Sequence, residues 1–286
     1  MIQSLTTDLL SAVNHYLSER LGLYFNEMRY SDLERGLNNA AQELGYANAE
    51  HCINEILEGA LNKQDLQTVV RNLTVGETYF FRDQAVFIAM EEKIIPELLK
   101  RKRKSGNKAL RIWSAGCSTG EEPYSIAISL SRTIPDIDSW QIHLIATDIN
   151  TRSLEKAHNA SYGSWSFRTM PSEFFHQYFQ PSAEGQHKLN DNLRKYVKLS
   201  YLNLAEDEYP TSKSGTSEMD IVFCRNVLIY FTQQRGKQIA DKLADCLAPG
   251  GSFITSASDS SRFITQPPKG LQRVGSTIFV KSNAEK

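Results

Sequence analysis

The sequence predicts an open α/β sheet, mostly parallel, preceded by a small helical domain and carrying a small antiparallel subdomain as an insert. Three observations predict it. Strand-like and helix-like stretches alternate from Ala109 onward. Before that, from about Asp8 to Asn72, apolar residues recur only at three- and four-residue steps. One region, Tyr162 to Tyr196, breaks the later alternation.

The helical region comes first. Leu9, Leu10, Val13, Leu17 and Leu21 share one helical face, as do Ile53, Ile56, Leu57 and Leu61. Gly22, Gly36, Gly45 and Gly59 divide the pattern into short helices, giving an all-helical domain over residues 1–74. Its polar faces carry Arg20, Arg29, Arg35, Lys63 and Arg71. These read as ordinary solvated faces in preference to a patch for an acidic partner. A helix over Val86–Leu99 then runs into Lys100-Arg101-Lys102-Arg103-Lys104. Cations at a helix C-terminus complement its dipole, so the run reads as a cap and solvated junction, not as a receptor- or membrane-facing patch.

The sheet domain spans 75–286. Strands are expected at Leu110–Trp113, Ile142–Thr147, Val197–Leu202, Ile221–Cys224, Ser252–Thr255 and Thr277–Val280, all short and apolar. Helices are expected at Tyr124–Arg132, Arg152–Asn159 and Gln234–Leu247, the last stopped by Ala248-Pro249-Gly250-Gly251. The insert, about 162–196, holds a helix-like Pro171–Phe179 and a polar, loop-rich Gln180–Arg194. An excursion at a sheet's C-terminal edge commonly carries substrate contacts.

Composition narrows the function. The chain has 286 residues, 41% of them hydrophobic, and a net charge of −1, so no global basic field favours nucleic acid. No stretch approaches the roughly 18 apolar residues of a membrane span. The start, Met1-Ile2-Gln3-Ser4-Leu5-Thr6, lacks the basic n-region of a signal peptide. Cys52, Cys117, Cys224 and Cys246 are scattered with no C-x-x-C pair. Neither a metal site nor a disulfide framework is expected, and a reducing cytoplasm fits best. With no long exposed apolar stripe, a monomer is expected.

Four segments carry chemistry. In Ser114-Ala115-Gly116-Cys117-Ser118-Thr119-Gly120 a strand bends through glycines into a helix that opens with Glu121-Glu122-Pro123. The turn lacks both the dinucleotide spacing and the Gly-Lys-Ser/Thr of a phosphate loop. Carboxylates at a helix N-terminus also disfavour a pyrophosphate. The turn suits a nucleoside without phosphate that carries positive charge, and S-adenosyl-L-methionine is such a molecule. Asp148, at the next strand end, can accept from both ribose hydroxyls. It could instead cap the following helix, but Asn150 or Thr151 can do that. In Asp220 to Phe231, an apolar strand reaches Arg225-Asn226 beside the glycine turn, where ligands gather, with Tyr230 one turn on. Thr74 to Asp83 sets Tyr79-Phe80-Phe81 beside Arg82: aromatic walls and a guanidinium suited to a carboxylate, or else a buried hinge with Arg82 paired to Asp83 or a glutamate.

Taken together, Thr78-Tyr79-Phe80-Phe81-Arg82-Asp83, Ser118-Thr119-Gly120-Glu121-Glu122-Pro123-Tyr124-Ser125, Thr147-Asp148-Ile149, Asn203-Leu204 and Phe223 to Phe231 resemble the chemotaxis receptor glutamate O-methyltransferases, the CheR-type family. The likeness runs through nearly the whole chain. It implies a Rossmann-like S-adenosyl-L-methionine-dependent methyltransferase sheet, releasing S-adenosyl-L-homocysteine and using no metal. The implied substrate is glutamate side chains on the cytoplasmic helices of chemoreceptors. By resemblance, Thr78, Arg82, Glu121, Asp148, Asn203, Leu204, Asn226 and Val227 contact the cofactor, and Arg82 and Tyr230 order the reacting groups. Two departures stand out. Gly76 replaces the asparagine of many members, and Ser182-Ala183-Glu184-Gly185-Gln186 is shorter and less glycine-rich than in members that dock on a receptor's peptide tether. A glutamate is ionised at neutral pH, so the implied reaction needs alignment and no general base. A non-catalytic module sensing S-adenosyl-L-methionine, and a methyltransferase for a small carboxylic acid, are the alternatives.

Overall fold

The structure is a computed structural model that describes residues 5–282. Four helices open the chain: α1 (Thr7–Leu21), α2 (Tyr30–Leu44), α3 (Ala49–Leu57) and α4 (Lys63–Leu73). Side chains of Thr6, Asn48 and Asn62 accept the free amides that begin α1, α3 and α4, as N-cap residues do. Leu10, Val13, Leu17, Leu33, Leu37, Ile53, Val69 and Leu73 enclose a core of their own. The arginines on the outer faces are mostly paired within the chain: Arg20 with Glu206, Arg29 and Arg35 with Asp32, and Arg71 with Glu43.

The next helix is longer than Val86–Leu99. It begins as α5 (Gln84–Ala89), widens through a π turn at Met90–Ile94 and continues as α6 (Ile95–Lys104). The basic run therefore lies inside α6, and it does more than cap it. Lys102 Nζ reaches Asp220 Oδ2 at 2.8 Å in a largely buried pair. Arg103 pairs with Asp136 at 2.6 Å, and Arg101 donates to the Gly250 carbonyl. Lys100 and Lys104 remain exposed.

Strand and helix then alternate as expected: β1 (Ala109–Ala115), α7 (Glu121–Thr133), β2 (Gln141–Asp148), α8 (Thr151–Asn159). The insert follows, with β3 (Ser161–Tyr162), α9 (Ser172–Tyr178), β4 (Phe179–Pro181), β5 (His187–Leu189) and α10 (Asp191–Arg194). It forms a three-stranded antiparallel sheet in the order β3-β5-β4. The main sheet resumes with β6 (Val197–Tyr201), β7 (Met219–Cys224), α11 (Gln233–Asp245), β8 (Leu247–Thr255), α12 (Ala257–Ser260), β9 (Leu271–Arg273) and β10 (Ile278–Lys281). Its order is β6-β2-β1-β7-β8-β10-β9. All neighbours are parallel except β10, which opposes both β8 and β9.

The boundaries hold with two corrections. Ala248-Pro249-Gly250-Gly251 does not separate helix from strand, because α11 ends at Asp245 and β8 already runs through it. Gly250 takes a φ of 70° there, and the β7–β8 register shifts between Met219 and Ile221. The second correction is β9, an edge strand of three residues absent from the expected set. Side chains alternate across the sheet, so Leu110, Ile112, Ile221 and Phe223 enter one core layer while Trp113, Ala115, Val222 and Cys224 enter the other.

Candidate active site

The chain order reverses between β1 and β7, and a cavity of about 270 Å3 opens over the carboxyl ends of β1, β2 and β7. Such a reversal leaves a crevice where helices depart to opposite faces. Its floor is the glycine turn. Gly116 has φ 79°, and a Cβ there would lie 2.3 Å from Val227 Cγ2, so only glycine lets the backbone pass under that side chain. The Gly116 and Cys117 amides both donate to the Thr147 carbonyl, tying β1 to β2.

Asp148 ends β2 at the cavity wall. Its Oδ2 accepts from the Ser118 amide at 2.7 Å and its Oδ1 from the Asn150 amide at 2.8 Å. Asn150, not Asp148, caps α8 by accepting from the Ser153 amide. Asp148 is thus held in place with lone pairs left for a ligand. Burial pushes its pKa up, while the amides of Asn150, Ser118 and Ile149 pull it down.

Glu121 and Glu122 go separate ways. Glu121 is not part of the cavity lining. It is buried, accepting from the Thr119 and Ser166 hydroxyls at 2.6 and 2.9 Å. The expected cofactor contact of Glu121 would thus be made from behind the cavity lining. Glu122 lines the cavity instead, with Oε1 bonded to the Ser114 hydroxyl and Oε2 to Arg225. Burial raises its pKa against the pull of Arg225 and Ser114.

Arg225 follows β7, and its side chain is almost wholly buried. Its guanidinium bonds to Glu122, to the Asp83 carboxylate and to the Arg82 carbonyl, joining the glycine-turn helix to the arginine loop. Asn226 sits in the left-handed region at φ 56°, and its buried Oδ1 has no hydrogen-bond partner among the described residues. Its backbone amide and that of Ile229 both donate to Asp259, a fully buried carboxylate that also accepts from the Ser256 hydroxyl. Val227 and Tyr230 complete this wall. Burial raises the Tyr230 pKa, which keeps its hydroxyl protonated and able to donate.

The opposite wall is the arginine loop. Thr78, Tyr79 and Arg82 line the cavity, but Phe80 and Phe81 do not. They are core: Phe80 stacks on Phe167, and Phe81 lies edge-on to Phe87. One ring of the expected three therefore faces a ligand. Arg82 Nη1 donates to the Glu77 carbonyl at 2.7 Å, and the Arg82 guanidinium stands 5.6 Å from the Tyr79 centroid. Asp83, the partner a buried hinge would use, pairs with Arg225 instead. Arg82 makes no ion pair among the described residues.

The last wall brings in the helical domain through Leu21, Gly22 and Leu23, together with Asn203 and Leu204. Asn203 Nδ2 donates to the Arg20 carbonyl and Oδ1 accepts from the Ala205 amide, so part of this side chain joins α1 to the sheet domain. The Tyr24 amide donates to the Tyr230 carbonyl at 2.8 Å. The structure thus gathers Thr78, Arg82, Asp148, Asn203, Leu204, Asn226, Val227 and Tyr230 around one cavity, with Glu121 behind it. Sequence reasoning noted Glu122 at the helix start and Arg225 beside the glycine turn without counting either as a site residue, and it missed Asp259 and the Leu21–Leu23 edge. For Asp259 the Ser256-Ala257-Ser258-Asp259 capping pattern is the signal that could have drawn attention to it.

The family described as CheR methyltransferase, SAM binding domain, matches residues 76–271. The chain belongs to the CheR methyltransferase family. It is 32% identical over 267 residues to the chemotaxis protein methyltransferase 2 of Vibrio cholerae serotype O1, covering 93% of this chain and 86% of that one. It is 29% identical to the chemotaxis protein methyltransferase of Borreliella burgdorferi, over 91% of this chain and 90% of that one. A chemotaxis protein methyltransferase of Pseudomonas putida is 30% identical, over 86% and 87%. This CheR-family chain is accordingly a methyltransferase with a binding domain for S-adenosyl-L-methionine.

The residues present fit that molecule. Two of the cavity carboxylates, Asp148 and Glu122, and the unpartnered Asn226 oxygen are all acceptors, as a nucleoside with hydroxyls, amino groups and positive charge requires. Among the described residues no group of three or more His, Cys, Asp or Glu side chains is placed to hold a metal ion. No described helix is long and apolar enough to cross a membrane.

Proposed function

We propose that this CheR-family enzyme forms methyl esters on glutamate side chains of chemoreceptor cytoplasmic helices. The observation that carries the reading is the Arg82 guanidinium, held by the Glu77 carbonyl and free of any ion pair among the described residues, at a cavity also lined by Asp148 and Glu122. A carboxylate arriving there meets one cation and one protonated phenol, Tyr230.

When bound, S-adenosyl-L-methionine supplies an electrophilic methyl group on a sulfonium. In this reading Asp148 accepts from its ribose, Asn226 Oδ1 accepts from a donor on it, and Thr78, Asn203, Leu204 and Val227 complete the enclosure. Glu121 acts from behind, through Thr119 and Ser166. Arg82 and Tyr230 orient the substrate carboxylate. Orientation is the main demand, since glutamate is already ionised at neutral pH and correct approach removes much of the barrier. Charge is lost as the ester forms, so a full bidentate clamp would stabilise the ground state more than the transition state. Arg82 Nη1 is anchored to the Glu77 carbonyl, which leaves fewer of its donors for the substrate. The product left behind is S-adenosyl-L-homocysteine.

Methylation cancels one negative charge on a receptor helix bundle and so biases its signalling state. The enzyme works as a monomer in the cytoplasm, without nucleic acid. The test mixes the protein with labelled cofactor and receptor cytoplasmic fragments. Base-labile label on receptor glutamates is expected. Cofactor binding with no transfer to any fragment would overturn the reading and favour a sensor.

A further inference from the structure

Beside Arg82 lies a second arginine that the reaction does not use. Arg168 belongs to the insert, in the segment between β3 and α9. Its guanidinium lies 3.6 Å from the Tyr79 centroid and 4.3 Å from that of Trp165. It donates to the Trp165 carbonyl at 2.8 Å and to the Glu77 carboxylate at 3.3 Å. Tyr79 and Glu77 both line the cavity.

The segment carrying Arg168 is stitched to the arginine loop. The Phe80 amide donates to the Ser166 carbonyl, the Thr169 hydroxyl to the Phe80 carbonyl, and the Gln84 side chain to the Thr169 carbonyl. Ser166 in turn bonds to Glu121, which gives that buried carboxylate a role. Arg168 is therefore fixed relative to Arg82. Both guanidiniums stand near one ring, at 3.6 and 5.6 Å from its centroid. That bounds their separation to less than about two turns of a helix, roughly 11 Å.

We propose that Arg168 is a subsite for a second carboxylate of the substrate, an acidic residue on the same helix within about two turns of the glutamate that is methylated. The inference rests on the function proposed above and assigns Arg168 as a residue that helps select where on the helix the enzyme acts. Two rings and a carbonyl hold the guanidinium whether or not Glu77 is there. Donors beyond the two in use remain on its planar fork, which suits a carboxylate. Glu77 is 59% exposed and its bond to Arg168 is long. Arg168 is 21% exposed, so the pair is held at the arginine and open at Glu77, where an incoming carboxylate can displace it. Trp165, 68% exposed, offers an apolar platform for the aliphatic part of the same helix.

The test uses the full chain and whichever receptor cytoplasmic fragment becomes labelled. Acidic residues within two turns of the labelled glutamate are changed singly to glutamine, and each fragment is assayed with native enzyme, Arg168→Gln and Arg168→Glu. The expected result is one acidic position whose loss raises KM about tenfold for the native enzyme and hardly at all for Arg168→Gln. Arg168→Glu should gain when that position is made lysine. Cofactor affinity should stay at its native value in Arg168→Gln, and melting temperature should fall more in Arg168→Glu, which sets a carboxylate against Glu77. Equal effects of every fragment change on native enzyme and Arg168→Gln would overturn the proposal while leaving the methyltransferase reading intact. No labelled fragment at all would instead sink that reading.

Discussion

In the proposed reading Arg82 and Tyr230 receive a carboxylate in different ways. Arg82 is anchored through one nitrogen and keeps the rest free, while burial holds the Tyr230 hydroxyl protonated. With cofactor saturating, Arg82→Ala should lower kcat about 10- to 100-fold, the scale of a misaligned approach. Tyr230→Phe should lower it only about fivefold, the worth of one neutral hydrogen bond. Single-turnover rates check both, and native rates in both variants would remove these residues from the reaction. In the proposed reading Asp148 governs cofactor binding instead. Asp148→Asn should raise the cofactor Kd about tenfold or more. Because burial raises its pKa, native affinity should decline, as pH falls, above the ordinary aspartate range near 3.9. The stability term has the opposite sense: a raised folded pKa favours folding below that range and is lost as pH rises through it. Calorimetric titration of native protein and Asp148→Asn across mildly acidic pH separates these effects, since only the native protein should show the acid limb.

At the scale of elements, the wall after β7 depends on α12. Asp259 accepts the Asn226 and Ile229 amides and so stabilises a left-handed asparagine that costs energy by itself. Asp259→Ala should destabilise the fold by about 3 kcal/mol, since it leaves buried donors unpaired, and should weaken cofactor binding in parallel. Urea unfolding and cofactor titration measure the two losses, and an unchanged midpoint would mean that solvent replaces the carboxylate. Sequence alone carries the alternation beyond Ala109 because short apolar strands and capped helices differ in period. It does not carry β9, since three edge residues show no period. Nor does it carry the start of β8, where proline and glycines look like a stop but Gly250 lets the strand continue. The site is legible as motifs, with Asp148, Asn226 and Arg82 meeting as their positions suggest. The choice between Glu121 and Glu122 is not legible, because adjacent residues on a helix point about 100° apart and only packing fixes which one faces the cavity. The same holds for Phe80 and Phe81, absorbed by a core that includes the insert.

For the whole molecule, the helical domain supplies part of the cavity wall, through Leu21, Gly22 and Leu23. Gly22 ends α1 at φ 70°, where a Cβ would fall 1.9 Å from Phe231 Cε1. Gly22→Ala should cost about 2–4 kcal/mol from overpacking and a strained φ. It should also raise the cofactor Kd, because Leu21 and Leu23 must shift from the wall. Asn203→Ala, which cuts the bond to the Arg20 carbonyl, should raise Kd with a smaller loss of melting temperature. If calorimetry shows cofactor binding indifferent to both changes, the two parts of the chain bind independently.

The buried fork of Arg225 has one further consequence. Three acceptors on two segments share it: Glu122 in α7, and the Asp83 carboxylate and Arg82 carbonyl in the loop ahead of α5. Residues 77–83 therefore do not form a portable cassette. Grafted onto another methyltransferase without an arginine and a glutamate at the matching positions, the loop would lose its footing and the guanidinium it displays would wander. Lysine would not serve in place of Arg225, for a point charge cannot reach three directions in one plane.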